Sequence, residues 1–204
     1  MISLSSRTRI RTVALAAVLA SVLPAAADQL VLGKALTIAD PAPLDASRRF
    51  VRFEARDVTA VPLSGDPTTP PNSSGGVLQL IAAGANPSVQ TFVLPQGVTT
   101  GRRPFWRPLV PTGFAYADPV GERGPVVALR VRHSTNGKLS IKGLLRGAGG
   151  PLDVVPPNPG TQAFALLTLG TGDRYCVRFG PDAAVRNRDG AIFTVGRIES
   201  TGCP

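Results

Sequence analysis

The sequence is poor in the residues that build most active sites. Its 204 residues hold one histidine, one tryptophan, one methionine, two cysteines and three lysines. With one histidine and two distant thiols, Cys176 and Cys203, there are too few donors for a four-ligand zinc site. A Gly-x-Ser-x-Gly elbow, a His-Glu-x-x-His pair and a phosphate-binding glycine loop are all missing from it. No cofactor is implied, and the chain reads as non-enzymatic. Helical periodicity is also lacking, since 22 glycines and 20 prolines break the chain into short segments.

The longest apolar run, Thr12 to Leu23, lies at the start. Arg7, Arg9 and Arg11 precede it and Pro24-Ala25-Ala26-Ala27 ends it, the three-part pattern of a cleavable signal peptide. The run falls short of the roughly 20 apolar residues that span a bilayer. No cysteine stands at the cut, and the arginines are not adjacent. Residues 1–27 are thus read as signal peptide and 28–204 as one domain without a transmembrane segment. The protein is expected to be secreted, periplasmic or at the cell surface. Without the signal's three arginines, 19 Lys+Arg face 13 Asp+Glu, a net +6 rather than +9. That balance permits an anionic partner without requiring one.

In an oxidising compartment the pair Cys176 and Cys203 reads first as an intramolecular disulfide, with pairing between chains as the alternative.

Apolar residues in the rest of the chain recur with period two. Leu30, Leu32, Leu36 and Ile38 read as one face of a strand, as do Leu78, Leu80 and Ala82, followed by Phe92 and Leu94. Val51, Phe53 and Ala55 alternate with Arg52, Glu54 and Arg56. Val127, Leu129 and Val131 alternate with Arg130 and Arg132, and Leu139, Ile141 and Leu145 oppose Ser140 and Lys142. Asn136-Gly137 between these last two segments predicts a hairpin with a tight primed turn. The Pro/Gly-rich stretch 149–161 reads as packed loop or strand, because Val154 and Val155 lie in it and the remainder is too short for a domain. Three more short apolar segments follow, Phe164–Leu169, Tyr175–Phe179 and Ala191–Val195. The expectation is a single all-β domain, an antiparallel β-sandwich of the Ig-like or jelly-roll kind with about nine or ten short strands.

Candidate chemistry is sparse. His133 stands at a strand end with no nucleophile beside it in sequence. Most acids occupy turn contexts such as Gly65-Asp66-Pro67 and Ala117-Asp118-Pro119. Asn187-Arg188-Asp189-Gly190 lacks the flanking ligands of a calcium loop and reads as a hairpin turn. One local cluster suits a ligand: Arg102, Arg103, Phe105, Trp106 and Arg107, where guanidinium groups beside aromatic rings would grip an anionic glycan or lipid head group by charge and stacking. The competing reading buries Phe105 or Trp106 as core and leaves the arginines as solvated shoulders. Export argues against nucleic acid as the partner.

The segment Leu166 to Gly180, containing Gly172-Asp173-Arg174-Tyr175-Cys176-Val177-Arg178-Phe179-Gly180, resembles a group of uncharacterised exported bacterial proteins with a GDRYCVxFG segment and a cysteine near the C-terminus. Leu30–Lys34, Pro104-Phe105-Trp106, Gly124-Pro125-Val126 and Val154–Gly160 also match. The resemblance implies a shared exported scaffold; it strengthens the disulfide reading and makes Phe105 and Trp106 look structural. It brings no activity or ligand. The expected function is an exported, non-enzymatic structural or surface-interaction module. A second reading is binding of an anionic cell-surface polymer, glycan or lipopolysaccharide, and a third is a secreted hydrolase with two facing carboxylates.

Overall fold

The computed structural model describes residues 28–56, 62–68, 75–84, 87–156, 162–180, 184–188, 191–200 and 202–204. The signal peptide read at 1–27 lies outside the described residues. Period-two alternation between turn residues produces strands here as expected, and the described residues form twelve. They are β1 (Asp28–Ala39), β2 (Phe50–Arg56), β3 (Gly76–Ala83), β4 (Ser88–Leu94), β5 (Trp106–Pro108), β6 (Thr112–Ala117), β7 (Val126–His133), β8 (Leu139–Arg146), β9 (Gln162–Leu169), β10 (Arg174–Phe179), β11 (Ala184–Arg188) and β12 (Ile192–Ser200). Two short 3-10 turns, Ala46–Arg48 and Gly147–Gly149, complete the regular structure. None of the described helices is long and apolar enough to cross a membrane.

The protein is all-β, but its layering differs from the expected pair of antiparallel sheets. A single hydrogen-bonded path runs β4-β3-β9-β10-β1-β2-β8-β7-β6-β5, with β12 also on β1 and β11 on β12. It curls into a half-barrel. All neighbours are antiparallel except β1 and β10, so the sheet is mixed. The reason lies in β1, which serves two sets of partners. Asp28–Leu32 pair with β10, whereas Gly33–Ala39 pair with β2 and β12. A bulge between Gly33 and Ala35 marks the change. A Cβ on Gly33 would collide with the Arg178 carbonyl, so only glycine allows this close passage.

That bulge also corrects the face assigned to β1. One extra residue reverses which side chains point inward. Val31 is therefore buried before the bulge and Leu36 and Ile38 after it, while Leu30 is 47% exposed. A second bulge, between Val126 and Ala128, moves Val126 into the core in place of Val127. Elsewhere the expected faces are seen: Val51, Phe53, Ala55, Leu78, Leu80, Ala82, Phe92 and Leu94 are all buried.

The β7–β8 hairpin exists, but its turn is longer than the Asn-Gly pair suggests. Ser134 N–H donates to the Lys138 carbonyl at 2.9 Å, Gly137 N–H donates to the Ser134 carbonyl at 3.0 Å, and Gly137 has φ +80°. Asn136 is not in the left-handed region, so this is a three-residue loop closed by glycine. The hairpin read at 187–190 is consistent with Arg188 pairing with Ile192; residues 189 and 190 lie outside the described residues.

One apolar cluster fills the inside of the curl, drawing on both halves of the sheet. The Pro-rich stretch is part of it, since Leu152 and Val154 are 1% and 2% exposed. Side chains satisfy that segment's backbone. Gln90 accepts from Asp153 N–H and donates to the Pro151 carbonyl, Ser88 Oγ accepts from Val155 N–H, and Arg49 Nη1 donates to the Leu152 carbonyl. Arg49 also forms a 2.9 Å ion pair with buried Asp40, fixing the 3-10 turn at Ala46–Arg48 against the same segment.

Candidate functional site

The structure divides the cluster suspected from the sequence into three parts. Phe105 and Trp106 are 1% and 5% exposed, so neither ring is available for stacking on a ligand. Phe105 lies parallel to Tyr116 at 5.8 Å, Trp106 meets the same ring edge-on at 5.3 Å, and the indole N–H donates to the Leu94 carbonyl at 3.1 Å. Burial and the nearby Asp118 carboxylate push the Tyr116 phenol above its ordinary pKa, so it stays neutral inside this aromatic knot. Arg102 and Arg103 sit exposed on a turn closed by hydrogen bonds between Thr99 and Arg103. Arg107 lines a groove on the sheet. The aromatic residues of the expected stacking site therefore belong to the core, while Arg102 and Arg103 lie on an exposed turn and Arg107 lines the groove.

A larger constellation lies on the outward face of β2, β5, β6, β7 and β8. Alternation sends Val51, Phe53, Leu129, Val131 and Ile141 inward, so the intervening residues share the opposite face. Register then sets them side by side. Arg107 pairs with Ala115, Ala115 with Arg130, Arg130 with Lys142, and Lys142 with Glu54. Ala117, Ala128, Leu144 and Arg52 form the adjacent row, while Arg132, Ser140 and Arg56 form the next. Arg146 pairs with Phe50 beyond Leu144. Seven cations and one acid therefore occupy the outward positions of these strands.

A groove of about 780 Å³ runs over this face, within the range of ligand-binding clefts. Arg48, Arg52, Arg107, Arg130, Lys142 and Arg146 rim it, and Ser47 and Ala148 from the two 3-10 turns wall one end. Its floor is apolar, made of Phe50, Ala115, Ala117, Ala128 and Leu144. Among the described residues Glu54 is the one carboxylate lining it, held at 3.3 Å by both Lys34 and Lys142. Burial works to raise the Glu54 pKa, but the two ammonium groups outweigh it and hold the carboxyl below its ordinary value. Glu54 is thus an ionised counter-charge rather than a proton donor. A hydrolase of the two-carboxylate kind requires a second facing acid that this groove does not present among the described residues.

In the sequence these cations appear only as the polar positions of separate alternating strands. Their signal was present in the Arg-x-Glu-x-Arg and Arg-x-Arg alternations. What was not legible is that β2 pairs with β8 from far along the chain, which turns three polar edges into one face.

The residues of the GDRYCVxFG segment have structural duties. A Cβ on Gly172 would strike the backbone of Gly65, and Asp173 accepts from Gln29 at 2.7 Å. Arg174 makes a two-pronged bridge to Asp28 at 2.6 and 2.7 Å, which lowers the Asp28 pKa. Tyr175 is buried, and its hydroxyl accepts from Ser64 N–H and lies 3.2 Å from the Ser64 carbonyl. Cys176 forms the expected disulfide with Cys203, fixing the C-terminal residues to the outside of β10. His133 is half-buried at the end of β7, outside the groove lining. Comparisons with family models, curated proteins and solved structures gave no match.

Proposed function

We propose that this protein is a non-enzymatic surface-interaction module that works outside the cytoplasm and holds an anionic polymer, a glycan or lipopolysaccharide, on its arginine face. The observation that carries the reading is the clustering of seven cations against one acid on neighbouring strands. Directly opposed like charges, such as Arg130 and Lys142, destabilise a sheet. A multivalent anion relieves that repulsion, and planar guanidinium groups suit the paired oxygens of sulfate, phosphate and carboxylate. The Cys176–Cys203 disulfide supports an oxidising place of work. The binding role moves from Trp106 and its neighbours to the sheet, with Arg107 the one residue shared by both.

Retention on heparin and lipopolysaccharide resins tests the reading. Arg52→Ala/Arg130→Ala/Lys142→Ala is expected to elute at much lower salt than wild type on both, because each lost charge weakens a screened, multivalent attraction. Arg102→Ala/Arg103→Ala is expected to elute close to wild type. Equal elution of wild type and the triple variant would overturn the assignment.

A further inference from the structure

A face that bound only hydrophilic polyanions would have no use for an apolar floor. Yet Ala117, Ala128 and Leu144 form an unbroken cross-strand row between the cations, with Phe50 beside its end. The row ends at Arg52 on β2, and Arg146, two residues beyond Leu144, stands next to that end. At a strand spacing of about 4.8 Å, the distance from Arg52 to Ala117 is roughly 14 Å. This gives one end with two neighbouring arginines and, leading away from it, a row of uncharged side chains flanked by the row of Arg107, Arg130 and Lys142.

The geometry points to an anionic amphiphile as the occupant of the groove: a phosphate head group held by Arg52 and Arg146, and an alkyl chain lying over Leu144, Ala128 and Ala117. The inference rests on the proposal that the arginine face is the binding surface, and it specifies the ligand as lipid rather than bare polymer. Charge selects the sign of the head group. Desolvating the floor supplies an interaction that grows with chain length, which no hydrophilic anion can match.

The test is isothermal titration of the intact protein with octyl, decyl and dodecyl phosphate below their micelle concentrations. Inorganic phosphate and dodecyl maltoside serve as the head-only and chain-only controls. Affinity is expected to rise at least about threefold for each two added methylenes, where full burial would give roughly 15-fold. Dodecyl phosphate is expected to bind more tightly than either control. Leu144→Gln/Ala128→Gln is expected to weaken dodecyl phosphate about tenfold and leave heparin elution unchanged, which shows that fold and cations are intact. Affinity independent of chain length, or equal binding of dodecyl maltoside, would overturn the inference while leaving the polymer reading in place. Loss of heparin retention in the wild type, by contrast, would remove the polymer reading itself.

Discussion

The two outer faces of this curled sheet share one core but are built from different residues. Around β2, β7 and β8 the outward positions are Phe50, Arg52, Glu54, Arg56, Ala128, Arg130, Arg132, Ser140, Lys142, Leu144 and Arg146. Around β3, β4 and β9 they include Val77, Gln79, Ile81, Val89, Thr91, Val93 and Thr168, together with Phe164 and Leu166, which are themselves buried, and no charge is among them. The inward residues of both halves belong to the same apolar cluster. The core that both halves share contains none of these outward cations. Cross-strand repulsion works against stability in the cationic half, a cost that the proposed binding role would explain.

The largest effect should separate core from face within a single short strand. Trp106 and Arg107 are neighbours in β5, yet one is buried under Tyr116 and the other rims the groove. Trp106→Ala is expected to lose about 3–5 kcal/mol in urea unfolding. Arg107→Ala is expected to stay within about 0.5 kcal/mol while eluting earlier from heparin. The opposite pattern would restore Trp106 as a ligand contact.

The next effect belongs to β10, which lies between the two regions on the strand path. Cys176→Ser/Cys203→Ser opens a cross-link with a sequence separation of 27 and is expected to cost about 2–4 kcal/mol by the same measurement. Heparin retention, measured well below the lowered melting temperature, is expected to stay unchanged, because the bridge lies on β10 and not on the arginine face. A parallel loss of retention would mean that the two faces are not independent.

A smaller effect reverses the sign of stability against binding. Arg130→Glu replaces a like-charge pair with an opposite-charge pair across from Lys142. It is expected to stabilise by about 0.2–1 kcal/mol while lowering the salt needed for elution. Destabilisation here would show that the cations support the fold rather than a ligand.

The smallest effect concerns pH. Glu54 has a folded pKa below its ordinary 4.5, so its pairing with Lys34 and Lys142 stabilises above that value and is lost as pH falls through the folded pKa. Part-exposed pairs of this kind contribute under about 1 kcal/mol. Heparin sulfates stay ionised in that range, so retention is expected to strengthen on acidification as Glu54 loses its charge. Glu54→Gln is expected to reduce that dependence.

Much of this was legible in the sequence, and the gaps have physical causes. Alternation located most of the strands and most of the core, because a half-buried strand must alternate, but β5, β6 and β11 were not among the segments it marked. It failed at β1 and at Val127, where a single bulged residue reverses the faces without leaving a composition signal. The disulfide followed from two cysteines in an oxidising context. The site did not follow, because Phe105-Trp106 drew attention as a local cluster. The arginine face is assembled from residues up to 94 positions apart in sequence, such as Arg52 and Arg146, and only strand register brings them together.

The most direct test of the central claim is amide chemical-shift mapping of the isotope-labelled protein titrated with a heparin oligosaccharide. Binding on the arginine face predicts perturbations concentrated on residues 50–56, 128–132 and 140–146, with β3, β4 and β9 unmoved. Perturbations centred instead on Arg102 and Arg103, or spread evenly over both halves, would contradict it.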